Sequence, residues 1–286
     1  IRDLHGDDLT DFLSRKVVPI DGNIVKDHCG ISTEDFSLLE EDGLDVIINS
    51  AGLVDFDPSI DQALGINAFG AANVVALAQR LGAGLVHIST CYVNGNRPGD
   101  IAEDDPVLGY FPNKSKMPGE LFDHRAEIRI LGELAQEIRK RVDDPLEQSR
   151  FRARAIEMLE ADGRNSEDGK ALKSALLRQR KMWVTSELKR IGMERAQSWG
   201  WQNTYTYTKS IGEQIIAEAR NDGLRACIVR PSIVESALTF PFPGWNEGFT
   251  TTAPLILLAR QGLRDFPYAE NLVLDIIPVD MVAATI

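Results

Sequence analysis

Cysteine is scarce in this chain of 286 residues: Cys29, Cys91 and Cys227, with no spacing that would build a metal site. So sparse and odd a set argues against a disulfide framework and for a reducing compartment, and a cytoplasmic location is expected. Four scattered histidines offer no metal cluster either. No apolar run approaches the roughly 20 residues of a membrane-spanning helix. Basic charge is in deficit, with a formal net charge of −12, and the deficit is uneven. Residues 111–200 hold 19 basic and 15 acidic side chains, whereas the rest of the chain holds 12 and 28. Acids interleave the bases of 111–200 and no aromatic platform accompanies them, which argues against nucleic acid as a partner.

What is present is an alternation of strand and helix patterns. Asp45 to Gly52 reads as a strand running into small residues, and Gly84 to Thr90 as a strand ending on hydroxyls. Leu224 to Ser232 reads as a parallel strand buried on both faces, with Cys227 in the core and Pro231 closing the run. Lys16 to Ile24 is expected to form an earlier strand and turn, and Asn67 to Arg80 a helix. The alternation predicts an α/β fold, a doubly wound parallel sheet with right-handed crossovers. His87, within the second of these strands, is expected to be a packed strand residue. The interval between Thr90 and Tyr205 is longer than a crossover requires, and a helical insertion is expected over 111–200. Its helices should run over about 118–142, 145–161 and 167–191, with a turn at 162–166.

Chemistry concentrates at Tyr205-Thr206-Tyr207-Thr208-Lys209, placed just upstream of a helix-like run. At helical spacing Tyr205 and Lys209 share a face, so the lysine charge favours the tyrosine phenolate. Such a phenol can protonate a carbonyl oxygen near neutral pH. In open α/β sheets ligands lie at the carboxyl ends of the strands, so Thr90 is expected to join this pair.

These features together resemble an extended short-chain dehydrogenase/reductase with a Rossmann-like fold. The residues that carry the resemblance are Asn49-Ser50-Ala51-Gly52, Ser89-Thr90, Tyr205-x-x-x-Lys209 and Arg230-Pro231-Ser232-Ile233. Val54-Asp55-Phe56-Asp57, Pro243-Gly244-Trp245-Asn246 and Ile277 to Val282 narrow it to the fatty acyl-CoA reductases, the male sterility branch. The resemblance implies Tyr205 as general acid, Lys209 as its pKa-lowering partner and ribose contact, and Thr90 as donor to the carbonyl oxygen, with Ser89 the second candidate. It implies NADPH as cofactor, lined by Asn49, Ser50, Ala51 and Gly52, with Pro231, Ser232 and Ile233 at the nicotinamide amide. Asn23 and Ile24 would meet the adenine, although the family usually carries Asp where Asn23 stands. Asn67 matches either a water-holding helix asparagine or an ordinary polar helix start.

One element of the family pattern is missing: no Gly-x-x-Gly-x-x-Gly turn follows an opening strand. That turn is where the pyrophosphate would sit, on backbone N–H groups at a helix start. The expectation is therefore an internal fragment of a longer protein. Residues 1–110 would be the first part of the Rossmann-like domain without its first βαβ unit. Residues 111–200 would be the helical insertion, and 201–286 the second part with the start of a substrate-binding region.

The implied function is reduction of a long-chain acyl-CoA to fatty aldehyde or alcohol with release of CoA. Alternatives are a carrier-bound thioester reductase, a nucleotide-sugar epimerase or dehydratase, and a non-enzymatic NAD(P)-binding sensor. Keeping Thr90, Tyr205 and Lys209 together disfavours the sensor. For the insertion two readings stand. Either its bases (Arg178, Arg180, Lys181, Lys189, Arg190) meet CoA phosphates from a lid, or its charges are simply solvated and paired. Peripheral membrane contact through an amphipathic face is a further option.

Overall fold

A computed structural model describes residues 9–97, 99–248, 252–266 and 273–286. In chain order the elements are α1 (Leu9–Lys16), α2 (Thr33–Asp42), β1 (Val46–Asn49), α3 (Ile60–Leu81), β2 (Gly84–Ile88), α4 (His124–Arg141) and α5 (Pro145–Ala161). They continue as α6 (Gly169–Trp199), α7 (Thr204–Asn221), β3 (Ala226–Val229), β4 (Ile233–Glu235), α8 (Ala253–Arg260), β5 (Ile276–Pro278) and α9 (Val279–Thr285). Two units result: residues 1–50, 76–92 and 224–286 form the first, and residues 51–75 and 93–223 the second.

The first unit carries the sheets. Strands β1, β2 and β3 are parallel in that order, with Asn49 opposite His87 and His87 opposite Ile228. Strands β4 and β5 form a second parallel pair. Alternation along the strands sends Leu85 and His87 to one face, where both are buried. The other face holds the row Ile48, Val86 and Cys227 across the register. There Ile48 and Cys227 are exposed, so the third strand is not buried on both faces as its apolar run suggested. Parallel apolar runs anticipate cover on each side, and among the described residues that cover is present on one.

The expected strand over Lys16 to Ile24 does not form. Helix α1 reaches Lys16, and the backbone beyond it is irregular until a turn at 23–26, where Lys26 N donates to Asn23 O at 2.9 Å. Pro19 has no N–H for a ladder, and Asn23 turns the chain by accepting from Val25 N at 3.1 Å.

The second unit is helical. Helix α5 has the bounds expected for it, whereas α6 extends eight residues past Ile191, to Trp199. Gly200 stops α6 at φ 102°, donating to Ala196 O at 3.1 Å. A β-carbon there would lie 2.7 Å from the Asn113 side chain, so the position needs glycine on both counts. The core joins Ile60, Leu64 and Ala68 of α3 to Leu131 of α4, Leu188 of α6 and Ile211 of α7, around Phe111, Phe122 and Trp201.

A polar knot sits in that core. Glu127 is 3% exposed and accepts from Arg195 Nε at 2.5 Å, Arg195 Nη2 at 2.7 Å, Trp199 Nε1 at 3.2 Å and the Tyr207 hydroxyl. It thereby joins α4, α6 and α7.

One expectation about membranes is revised. Helix α3, at 22 residues, is long and apolar enough to cross a membrane by length and composition, but 56% of its apolar 18-residue window is buried inside the protein. Its hydrophobicity serves a core.

Removing the partner of a buried carboxylate leaves an uncompensated charge, which costs about 3–5 kcal/mol. Arg195→Ala should therefore lower the unfolding free energy by about that amount in urea titrations, while Arg178→Ala, on the exposed face of α6, should change it by under about 0.5 kcal/mol.

Candidate active site

Tyr205 and Lys209 lie within the first turns of α7, not upstream of it. Asn203 caps the helix by accepting from Thr206 N at 2.9 Å, which fixes the start two residues before Tyr205. Helical spacing then sets the two side chains on one face. The neighbouring phenol is committed elsewhere. Tyr207 is fully buried against Glu127, and burial, then the carboxylate, push its pKa far above the ordinary tyrosine range. Tyr205 is half-buried, so of the two it is the one that a ligand can reach.

Lys209 is 4% exposed, and burial lowers its pKa to about 8 against an upward pull from Glu213. At neutral pH it remains mostly charged. A β-carbon at position 52 would lie 3.6 Å from both Lys209 Nζ and Asn67 Oδ1, so Gly52 opens a small polar recess in front of the ammonium.

Asn67 is a helix residue but not a helix start. It sits mid-helix, in a wide π turn over Leu64–Phe69. Its Oδ1 accepts from Leu53 N at 2.9 Å, and its Nδ2 donates to Leu53 O at 3.3 Å and Thr208 Oγ1 at 3.0 Å. Both amide hydrogens are engaged, so the side chain fastens the turn after Gly52 to α7. Position 212 must stay small for the same reason: a β-carbon there would overlap the Asn67 carbonyl.

The remaining predicted residues belong to the first unit, apart from Ala51. Asn49 is buried at the end of β1, and its Nδ2 donates to His87 Nδ1 at 3.0 Å. His87 is thus more than packing. It orients Asn49 from the opposing register position, a role that only strand pairing could reveal. Ser50 and Ala51 are exposed. Thr90 is buried, and its Oγ1 accepts from Tyr92 N at 3.3 Å, which keeps the hydroxyl hydrogen for donation. Ser89 Oγ is buried with no hydrogen-bond partner among the described residues. Pro231 O accepts from Cys91 N at 3.0 Å, Ser232 is half-buried, and Ile233 opens β4. Asn23 is exposed and Ile24 half-buried in their turn, which follows no strand.

Two further motif segments close on one feature. Trp245 of the 243–246 stretch and Val279, Asp280 and Met281 of the 277–282 stretch line a cavity of about 770 Å³ together with Phe240 and Pro241. Ala237 N donates to Trp245 O at 2.8 Å. Asp280 accepts from Leu238 N at 2.9 Å, Thr239 N at 2.8 Å, Thr239 Oγ1 at 2.9 Å and Phe240 N at 3.1 Å. These bonds hold its carboxyl well below the usual carboxylate range. In the insertion, Arg190 is paired with Glu187 and Glu194, Lys189 with Asp57, and Arg180 donates to Gln148. Ion pairing thus accounts for two of the five bases proposed to meet phosphates, and a neutral amide engages a third.

Residues 2–286 match the family described as male sterility protein, an NAD-binding family. The chain belongs to the male sterility protein family. Among curated relatives, it is 34% identical to fatty acyl-CoA reductase 8 of Arabidopsis thaliana, over 99% of this chain and 50% of that protein. It is 31% identical to the alcohol-forming fatty acyl-CoA reductase of Simmondsia chinensis, over 95% and 47%. The chain thus spans about half the length of these relatives. A solved structure, the terminal R domain from the myxalamid PKS-NRPS biosynthetic pathway, shares the fold at a TM-score of 0.54 and 19% identity. That match covers 96% of this chain and 46% of the other. The α/β, Rossmann-like expectation is met.

Membership of an NAD-binding family implies a nicotinamide dinucleotide, and the recess at Gly52 fits one. It presents a buried ammonium and an amide oxygen without an intervening side chain, which suits the hydroxyl-rich edge of a ribose.

A lysine whose folded pKa is below its unfolded value opposes folding fully at low pH, and is relieved as pH rises from about 8 towards 10.5. Comparing urea stability of the parent with Lys209→Met over pH 7–10.5 should show this relief in the parent alone. The lysine contribution should be flat near pH 7 and rise with pH from about 8.

Proposed function

We propose that this chain is the catalytic part of an NADPH-dependent fatty acyl-CoA reductase, which takes a long-chain acyl-CoA thioester to a fatty aldehyde or fatty alcohol with release of CoA. The observation that carries the reading is the half-buried Tyr205 on one helical face with the buried Lys209, in a chain 31–34% identical to proteins named fatty acyl-CoA reductases.

The chemistry assigned to each residue is limited to protons and orientation. Bound nicotinamide would supply hydride to the carbonyl carbon. Tyr205 gives its phenolic proton to the carbonyl oxygen, and the positive charge of Lys209 favours that release. Thr90 donates its hydroxyl hydrogen to the same oxygen, stabilising the charge that develops there. The resulting hemithioacetal gives up its hydroxyl proton as its C–S bond breaks, the departing CoA thiolate takes up a proton, and an aldehyde remains. A second reduction of the same kind yields the alcohol. Lys209, with Gly52 in front of it, would hold the ribose. NADPH, in preference to NADH, is part of the proposal, as are a cytoplasmic setting and contact with a membrane surface where acyl-CoA is drawn from lipid.

The test follows NADPH consumption by the full-length protein against a long-chain acyl-CoA. Tyr205→Phe should lower kcat/KM by about 10²–10⁴-fold, the usual worth of a positioned acid. Thr90→Ala should lower it by about 10²–10³-fold, the usual worth of one oxyanion donor. Turnover of Tyr205→Phe at the parent rate would overturn the proton-donor assignment. Equal rates with NADH would overturn the cofactor choice.

A further inference from the structure

The Val54-Asp55-Phe56-Asp57 stretch is fastened on both sides. Leu53 is held through its N–H and carbonyl by Asn67, at 2.9 and 3.3 Å. Asp57 meets Lys189 of α6 at 3.0 Å, and its own N–H donates to Asp55 Oδ1 at 3.0 Å. Between these ties the Phe56 ring stands edge-on to the Tyr205 ring, with centroids 5.7 Å apart and planes at 67°. Phe56 is nonetheless 65% exposed. Exposing a phenyl ring on a fastened loop forgoes burial that the ring would otherwise gain. A carbonyl that reaches the Tyr205 hydroxyl has to come within side-chain reach of that open ring. The ring has no donor or acceptor, so the part of a ligand that it favours is apolar.

We infer that Phe56 is a substrate-contact residue: it packs against the methylenes next to the thioester carbonyl and contributes binding of the acyl chain beside Tyr205. The Lys189–Asp57 pair gives α6, within the 111–200 stretch, a positioning task in addition to its surface charge. That task is light, because both partners are largely solvated and such pairs contribute little. The inference rests on the acyl-CoA reductase reading above.

Steady-state kinetics of the full-length protein with NADPH and a saturated acyl-CoA test it. Phe56→Ala should raise KM for acyl-CoA about five- to thirtyfold, the range expected for losing one apolar contact. Its kcat should fall by less than about threefold, and the pH profile of kcat should stay in place, because the proton donor is untouched. Phe56→Leu should restore most of the KM, and Lys189→Ala should raise it by about two- to threefold. A parent protein that reduces acyl-CoA while Phe56→Ala keeps the parent KM would overturn the inference and leave the functional reading standing. So would a Phe56→Ala variant whose kcat and pH profile shift together with its melting temperature, because that pattern belongs to a structural role. A parent protein that reduces no acyl-CoA would overturn both.

Discussion

A carboxylate removed from water governs the helical unit. Burying a carboxylate without partners is costly, and the oxygens of Glu127 are satisfied by a guanidinium fork, an indole N–H and a phenol drawn from two other helices. Apolar packing is non-directional and tolerates small rotations of one helix against another, whereas four hydrogen bonds converging on one carboxylate do not. Because Tyr207 is one of those partners, the rotation of α7 about its own axis is set there. Tyr205 and Lys209 on the same helix inherit that rotation. The knot and the candidate chemistry are two residues apart in sequence, and the first gives the second its orientation.

The same arrangement separates two chemically identical groups. Tyr205 and Tyr207 differ by about 200° around the helix, which sends one into the core and leaves the other at its edge. Burial and a carboxylate make the Tyr207 proton unavailable at any physiological pH. Lys209 is also buried, but in a polar recess, and there desolvation lowers its pKa only to about 8. Environment, not residue type, decides which of these titratable groups is committed to the core.

Much of this was legible in the sequence because period and spacing are local properties. The strands at 46–49, 84–88 and 226–229, the helix bounds of α5 and the shared face of Tyr205 and Lys209 all follow from short-range patterns. What escaped depended on partners distant in the chain. Nothing local marks Glu127, because Arg195 is 68 positions away. His87 looked like packing until strand register set it beside Asn49. The apolar run around Cys227 fitted a strand covered on each face, but sequence records hydrophobicity and not which side meets it. The strand expected at 16–24 failed for a local reason, since Pro19 and Asn23 outweigh two valines and two isoleucines.

The wide turn at Leu64–Phe69 carries a consequence for how this fold tolerates insertions and deletions. Within a regular helix each residue advances the side-chain direction by about 100°. The turn holds one residue more than that rhythm allows, and Asn67 is aimed at Leu53 and Thr208 by the surplus. Excising one of the residues that precede Asn67 in this turn would restore ordinary winding and swing the amide off both partners, while barely changing composition. Length is therefore as strictly specified in this six-residue stretch as the identity of the asparagine itself.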